Sequence, residues 1–177
     1  MATSRTLAWA DAIDRITAVT GRASAWLCVL IVVLQFALVI ARYLFGLGSI
    51  WLTETVLYAH GALFLLAAAW TLQAGGHVRV DVFYAELDAR TKAKIDLAGA
   101  LLLLLPFMLV LLWFGWGFAL RSWIILERSQ EASGLPFVYL FKTLILLFAA
   151  LMAMQGIAQA LRATAVLKRK PRARHAR

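Results

Sequence analysis

The sequence contains few of the residues from which soluble domains build their surfaces. Only 15% of its 177 residues are charged, and it has three prolines, three histidines and one cysteine. A soluble domain is about a quarter charged and about half apolar, whereas 63% of this chain is hydrophobic, with a mean hydropathy of +0.82. This composition excludes an ordinary soluble domain. A single cysteine cannot form an intrachain disulfide, and Cys28 is interpreted as a buried apolar residue.

The sequence also lacks the patterns that carry chemistry. It contains no metal-ligand spacing, no nucleophile with an accompanying base and acid, and no phosphate-binding loop. His77 and Asp81 lie four residues apart, and we interpret them as a capping or interfacial pair rather than as a catalytic one. We therefore predict that the protein is not an enzyme and that it has no catalytic residue, no cofactor and no metal site.

Long apolar runs dominate the chain instead. Four runs each hold about 20 or more mostly apolar residues, the length that a helix needs to cross about 30 Å of hydrocarbon. The stretch LLLLLPFMLVLL does not alternate polar and apolar residues, as the strands of a membrane barrel would. The sequence predicts an all-α integral membrane protein with a single membrane domain. Its four predicted transmembrane helices are residues 24–45, 53–74, 97–120 and 137–161.

The distribution of lysine and arginine predicts the orientation in the membrane. Fourteen of the 18 cations precede the first span, separate the second from the third, or follow the fourth. Cytoplasmic segments carry the excess of positive charge, so both termini are predicted to be cytoplasmic. The net charge of +9 therefore needs no nucleic acid as a partner. The basic cytoplasmic tail, residues 162–177, is expected to contact anionic lipid headgroups.

Two amphipathic segments are predicted to lie in the inner headgroup region. The first is an N-terminal helix, residues 1–23, with an apolar face that includes Trp9, Ile16 and Val19 and with an ion pair between Asp11 and Arg15.

The second is a cytoplasmic interfacial helix, residues 77–96, whose apolar face includes Tyr84 and Leu87. Asp81 is expected to cap it, Asp88 to pair with Lys92, and Gly75–Gly76 to break the preceding span.

Few ionisable residues lie within the predicted spans. Arg42 and Glu54 flank a short hairpin, and we predict an ion pair between them because an unpaired charge at that depth is costly. The alternative is that one of them contacts a partner subunit. Lys142 is expected at a similar depth, within reach of Glu127, Glu131 or an interface.

Gln155 and Gln159 lie one helical turn apart in the fourth span. Amides within a membrane most often hydrogen-bond a neighbouring helix, and we expect the same use here. Pro106, in the third span, is expected to bend its helix.

Several segments resemble the small permease subunit (DctQ-type) of tripartite ATP-independent periplasmic (TRAP) transporters. Trp51 and Glu54 open the second span, and GGHVRVD, which contains His77, Arg79 and Asp81, directly follows it. The segment ERSQEASGLPFVYLFK, which runs into the fourth span, is similar to the branch of the family labelled mannitol/chloroaromatic.

The resemblance implies a division of labour among three proteins. A periplasmic binding protein captures an organic acid, a large permease subunit moves it with sodium across a bacterial inner membrane, and the small subunit acts as a scaffold. The large subunit and the binding protein are the implied partners. The candidate structural or interface residues are Arg42, Trp51, Glu54, His77, Arg79, Asp81, Tyr84, Leu87, Lys142 and Gln155.

Two other functions are open to a small helical membrane protein. A haem- or quinone-binding anchor of a redox complex needs two histidines that face one another, but His60 and His77 are 17 residues apart, about 25 Å along one helix. A self-contained exporter needs a carboxylate deep in the membrane, whereas Glu54 lies at the edge of its span.

Overall fold

The computed structural model describes residues 2–77 and 84–168, with side chains from residue 5 onward. All regular secondary structure in these ranges is helical, which confirms the predicted all-α class. The helices are α1 (Ala2–Phe45), α2 (Ile50–Gln73), α3 (Ala89–Ala98), α4 (Leu105–Ile124) and α5 (Val138–Lys168), with a π-helical turn, Gly99–Leu104, that joins α3 to α4.

Four helical stretches are long and apolar enough to cross a membrane, as the sequence predicts. They are Arg5–Phe45, Ile50–Gln73, Ala89–Ile124 and Val138–Lys168. Helix α1 has 44 residues and is about 66 Å long, roughly twice the thickness of the hydrocarbon core. The N-terminal segment predicted as a separate amphipathic helix is therefore helical, but it is continuous with the first span.

Helix α5 is the centre of the bundle. It contacts α1, α2, α3 and α4, and 39% of its most apolar window is buried, against 11% for each of the other three spans. Small residues permit this close packing, since Ala149 and Ala158 have no exposed surface. An apolar cluster of buried residues joins α2, α4 and α5 through Ala69, Met108 and Met152. Cys28 is exposed, which corrects the prediction that it is buried.

The bundle has two unlike ends. At the hairpin end, α1 stops at Gly46, whose φ of +68° suits glycine, and Ser49 caps α2 by accepting a hydrogen bond from the Leu52 N–H. At the other end, Gln73 finishes α2 and its amide oxygen lies 3.2 Å from the Thr17 hydroxyl. Helices α1 and α5 continue past this level, so we call it the extended end.

Span three contains a π-helical turn immediately before Pro106. The Leu105 N–H bonds the Ala100 carbonyl, five residues back, instead of the carbonyl four back. A proline ring crowds the carbonyl four residues before it and donates no N–H, and the wider turn accommodates both effects. The structure thus places a π turn where the sequence indicated a proline bend.

The predicted interfacial helix of residues 77–96 is not one continuous helix. Residues 85–88 form a turn, and α3 starts at Ala89 with Asp88 as its cap, accepting from the N–H groups of Arg90 and Thr91. Lys92 donates to the Ala85 carbonyl at 2.9 Å rather than pairing with Asp88.

One further prediction for this segment is confirmed, and the others concern residues outside the described ranges. Gly75, with φ of +69°, follows the end of α2 and confirms the predicted break. Arg79 and Asp81 lie outside the described residues, as does the tail from residue 169 onward.

Candidate functional site

A carboxylate and a loop meet at the hairpin end. Glu54, in the second turn of α2, accepts a hydrogen bond from the Ser129 hydroxyl and another from the Leu135 N–H, at 2.5 Å. Both donors belong to the loop between α4 and α5. We call Glu54, Ser129, Gly134 and Leu135 the hairpin cluster. It attaches the start of α2 to the start of α5.

The loop folds so that its own backbone presents these donors. The Ser129 N–H bonds the Leu135 carbonyl at 3.1 Å, and the Gly134 N–H bonds the Glu131 carbonyl at 3.0 Å. A Cβ on Gly134 would lie 2.5 Å from Ser129 Cβ and 2.8 Å from Glu54 Oε1. Only glycine fits between the serine and the carboxylate, so this contact requires Gly134 in the segment SGL.

Arg42 and Glu54 do not form the predicted ion pair. Within the described residues Arg42 has no salt bridge, whereas both oxygens of the Glu54 carboxylate are engaged by the loop. The two side chains line one open cleft of about 520 Å³, together with Glu131. The sequence favoured the ion pair because the two residues flank a hairpin, but the loop supplies donors from 75 and 81 residues away.

Lys142 makes one of the contacts that the sequence allowed. Its ammonium lies 2.5 Å from Glu127 Oε2 and 4.2 Å from the centre of the Phe118 ring. The hydrogen bond from Lys142 lowers the pKa of Glu127. Trp51, by contrast, lies in the first turn of α2 with half of its surface exposed, and its side chain contributes no hydrogen bond to the hairpin cluster.

A second polar cluster ties three helices together at the extended end. Gln155 of α5, only 1% exposed, donates to Asp14 at 3.0 Å and accepts from the Thr17 hydroxyl at 3.1 Å. Arg162 bridges Asp14 at 2.5 Å and Asp11 at 2.8 Å. With Gln73 of α2, these residues form the extended-end cluster: Asp11, Asp14, Thr17, Gln73, Gln155 and Arg162.

Sequence reasoning found Gln155 in this cluster but missed its partners. It paired Asp11 with Arg15 on the same helix, whereas Asp11 binds Arg162. The missed signal is a face of small and polar residues on α1, since Ala10, Thr17 and Ser24 are all at most 4% exposed. The apolar face that the sequence predicted to lie in the headgroup region includes Trp9, which points away from the bundle at 68% exposure.

A cavity of about 360 Å³ adjoins the extended-end cluster. It lies between α3 and α5 and is lined by Lys92, Asp96, Gln159 and Arg162 among others. The Tyr84 hydroxyl donates to Asp96 at 2.8 Å, and Lys92 stands 5.4 Å from the centre of the Tyr84 ring. His77 is exposed beyond the end of α2, and Leu87 is half-buried in the turn before α3.

The two clusters are suited to holding helices in register rather than to chemistry. Most of their carboxylates and cations form ion pairs or hydrogen bonds with one another or with the backbone. The interior between the two clusters is apolar and is centred on Ala69, Met108, Ala149 and Met152. Among residues 2–77 and 84–168, no three His, Cys, Asp or Glu side chains come together as metal ligands would.

These features define a multi-pass helical membrane protein of small size. A family model covers most of its length, matching residues 15–166, and the chain belongs to that family, the DctQ component of tripartite ATP-independent periplasmic transporters. No curated protein and no solved structure gave a significant match. Membership implies association with a large permease subunit and a periplasmic binding protein of the same kind of transporter.

Proposed function

We propose that this chain is the scaffold subunit of a sodium-coupled TRAP transporter. It holds the large permease subunit in the bacterial inner membrane while that subunit moves an organic acid delivered by the periplasmic binding protein. The observation that carries the proposal is the family match over residues 15–166, combined with an interior that offers no polar path from one end to the other through the described helices.

The packing supports a scaffold rather than a carrier. Transport sites lie near the midplane at broken helices with exposed polar backbone, and here the middle of the bundle is filled by alanine, leucine and methionine side chains. The break in the regular α-helical pattern of span three, Gly99–Leu104, is a π turn that borders an apolar groove lined by Leu103 and Phe107. Substrate and ion ligands are therefore expected in the large subunit.

The orientation belongs to the same proposal. The hairpin end faces the periplasm and the extended end faces the cytoplasm, because fourteen of the 18 cations lie on the latter side. The basic residues of the tail contact anionic lipid there. Arg42, which has no salt bridge among the described residues and lines the open cleft at the hairpin end, is expected to meet a carboxylate of a partner subunit.

The loop sequence supports a place in the mannitol/chloroaromatic-like branch. ERSQEASGLPF supplies Ser129, Gly134 and Leu135 to the hairpin cluster, so this motif is tied to the attachment of helices and carries no information about substrate. The organic acid is selected by the binding protein and the large subunit.

Reconstitution tests the proposal directly. Liposomes with this chain, the large subunit and the binding protein should take up an organic acid when a sodium gradient is applied, and omission of this chain should abolish uptake. Uptake by this chain alone would favour the exporter instead, and a haem absorption spectrum of the purified chain would favour the redox anchor.

Thiol labelling tests the orientation. In a Cys28→Ala background, cysteines at Ala89 and Ala173 should be protected from an impermeant reagent in intact cells, and a cysteine at Ser133 should react. Labelling at Ala89 from outside would reverse the assignment of the two ends.

A further inference from the structure

A continuous stripe of exposed apolar side chains runs along α1. Its positions follow steps of three and four residues, the 3.5-residue repeat of a helix that packs lengthwise against another helix. Six of its members, from Trp9 to Val33, are 43–75% exposed. The stripe consists of Trp9, Ala12, Ile16, Val19, Ala23, Trp26, Leu30 and Val33.

The helices that the structure describes do not cover this stripe. Helix α1 packs on α2 and α5 with a different face, on which Ala10, Thr17 and Ser24 are buried. A Cβ on Gly21 would lie 2.6 Å from Trp70 Cγ, which shows how closely this small-residue face approaches α2. The large apolar residues of α1 are thus left for a neighbour.

Lipid tails cannot cover the whole stripe. Helix α2 has 24 residues, about 36 Å, which already spans the hydrocarbon, and it ends level with Thr17. Trp9 lies eight residues earlier on α1, about 12 Å further out, whereas the headgroup layer adds only about 5–8 Å on each side. Apolar surface exposed at that distance indicates a protein partner.

Two cations border the stripe on one side. Arg15 and Arg22 lie seven residues apart, are exposed, and make no ion pair with the described residues. Arg22 Nε donates only to the Ala18 carbonyl of its own helix, at 3.1 Å. Charges that flank such a seam pair with opposite charges on the partner helix, so the partner should carry carboxylates here.

We propose that the stripe on α1, flanked by Arg15 and Arg22, is the docking surface for a helix of the large permease subunit that continues beyond the lipid tails and carries carboxylates opposite these arginines. The proposal rests on the scaffold function proposed above. A second copy of this chain fits less well, because it brings the same arginines to the seam while its nearby carboxylates, Asp11 and Asp14, are held by Arg162.

Photocrosslinking in the assembled complex locates the surface. A benzophenone amino acid replaces Trp9, Ile16 or Trp26 in the full chain, co-expressed with the large subunit and the binding protein. The matched control is Val32, which is 62% exposed on the same helix but off the stripe. Adducts with the large subunit should form from the three stripe positions and not from Val32. Adducts of Trp9 and Ile16 with lipid alone, or with a second copy of the chain, would overturn the proposal.

Substitution tests the energetics independently. Ile16 lies level with the end of α2, in the headgroup layer where water reaches it, and its burial there is favourable, so Ile16→Ala should weaken binding of the large subunit about tenfold. Val33→Ala, on the same stripe but within the membrane, should change it much less because lipid is as apolar as a partner. Arg15→Glu with Arg22→Glu should also weaken binding, while the helix content of the chain stays unchanged.

The outcomes separate this inference from the proposed function. If the unmodified chain holds the large subunit and the Ile16 and arginine variants bind it equally well, the docking surface lies elsewhere and the scaffold function stands. If the unmodified chain does not hold the large subunit at all, the scaffold function itself fails.

Discussion

The hairpin end and the extended end hold helices together by different means. At the hairpin end, the Glu54 carboxylate on α2 accepts hydrogen bonds from the loop between α4 and α5, and one of the donors is the backbone N–H of Leu135. At the extended end, the contacts are made between side chains of three helices, with Gln155 and Arg162 of α5 at the centre. The attachment at the hairpin end, which we call the loop clamp, depends on a single backbone conformation of the loop. The side-chain network at the extended end depends on all of its members.

The largest expected effect comes from breaking the network at Gln155. Gln155→Leu keeps the volume but removes a donor from the partly buried Asp14 carboxylate and an acceptor from the buried Thr17 hydroxyl. We expect the free energy of unfolding to fall by about 2–3 kcal/mol, measured by thermal unfolding in detergent micelles. Gln159→Leu is the control, because Gln159 lines the neighbouring cavity and makes no hydrogen bond within the described residues. Equal losses for the two variants would contradict a specific network.

The loop clamp should break at its glycine. Gly134→Ala places a methyl group 2.8 Å from Glu54 Oε1, and overpacking of this kind destabilises by about 1–3 kcal/mol. Gly117→Ala, where a Cβ meets nothing within 4 Å, should be nearly neutral in the same unfolding assay. If Gly134→Ala were equally neutral, the loop would not depend on one backbone conformation.

A double-mutant cycle sharpens the assignment of Glu54. Alanine substitutions at Glu54 and Ser129 should be coupled by about 1 kcal/mol, because the two side chains are hydrogen-bonded. The Glu54–Arg42 cycle should give a coupling near zero, and exchange of these two charges should restore nothing. Recovery by the exchanged pair would show that the ion pair forms after all.

The smallest expected effect is a dependence on pH that both ends share. The hydrogen bond from Lys142 lowers the pKa of Glu127, and hydrogen bonds from Thr91 and then Arg90 lower that of Asp88. A lowered carboxyl pKa stabilises the fold above the ordinary values of 4.5 and 3.8, and the contribution disappears as pH falls through the folded-state pKa. Glu127→Gln and Asp88→Asn should each lower the melting temperature at pH 7, because the stabilisation from that carboxylate is lost. Each variant should also show a smaller decrease in melting temperature than the unmodified chain as the pH falls below 4.5. Unchanged acid sensitivity in both variants would place the titrating groups elsewhere.

Local features of this chain were predictable from the sequence, and distant pairs were not. Run length and composition gave the four spans, and the order of Glu127 and Lys142 around the start of span four was enough to suggest their contact. The contact of Glu54 with Ser129 joins residues 75 apart, and that of Asp11 with Arg162 joins residues 151 apart. These pairs depend on which helices are neighbours and at what level, and hydropathy does not encode either.

The packing face of α1 shows why a hydrophobic pattern misleads in a membrane protein. In water the apolar face of a helix turns inward, whereas Trp9, Ile16 and Val19, which the sequence predicted to form the apolar face of a helix in the headgroup region, point away from the bundle. In this bundle the small and polar face packs inward, with Ala10 and Thr17 buried, because lipid and a partner subunit accept apolar side chains as readily as a core does.

The π turn makes span three tolerant to a change of length in a way that ordinary helices are not. It holds one residue more than an α-helical path over the same rise, and the wider turn absorbs that residue, which in a regular α-helix would rotate the rest of the helix by about 100°. Met108 consequently faces the core at 3% exposure while Phe107 lies at 61%. Deleting one leucine from positions 101–104 should restore a regular α-helix and leave the buried and exposed faces of α4 as they are, because the π turn already absorbs the extra residue. A related chain with one residue fewer in this run would therefore keep the same packing residue where Met108 stands, so such a gap would mark a lost π turn rather than a rotated helix.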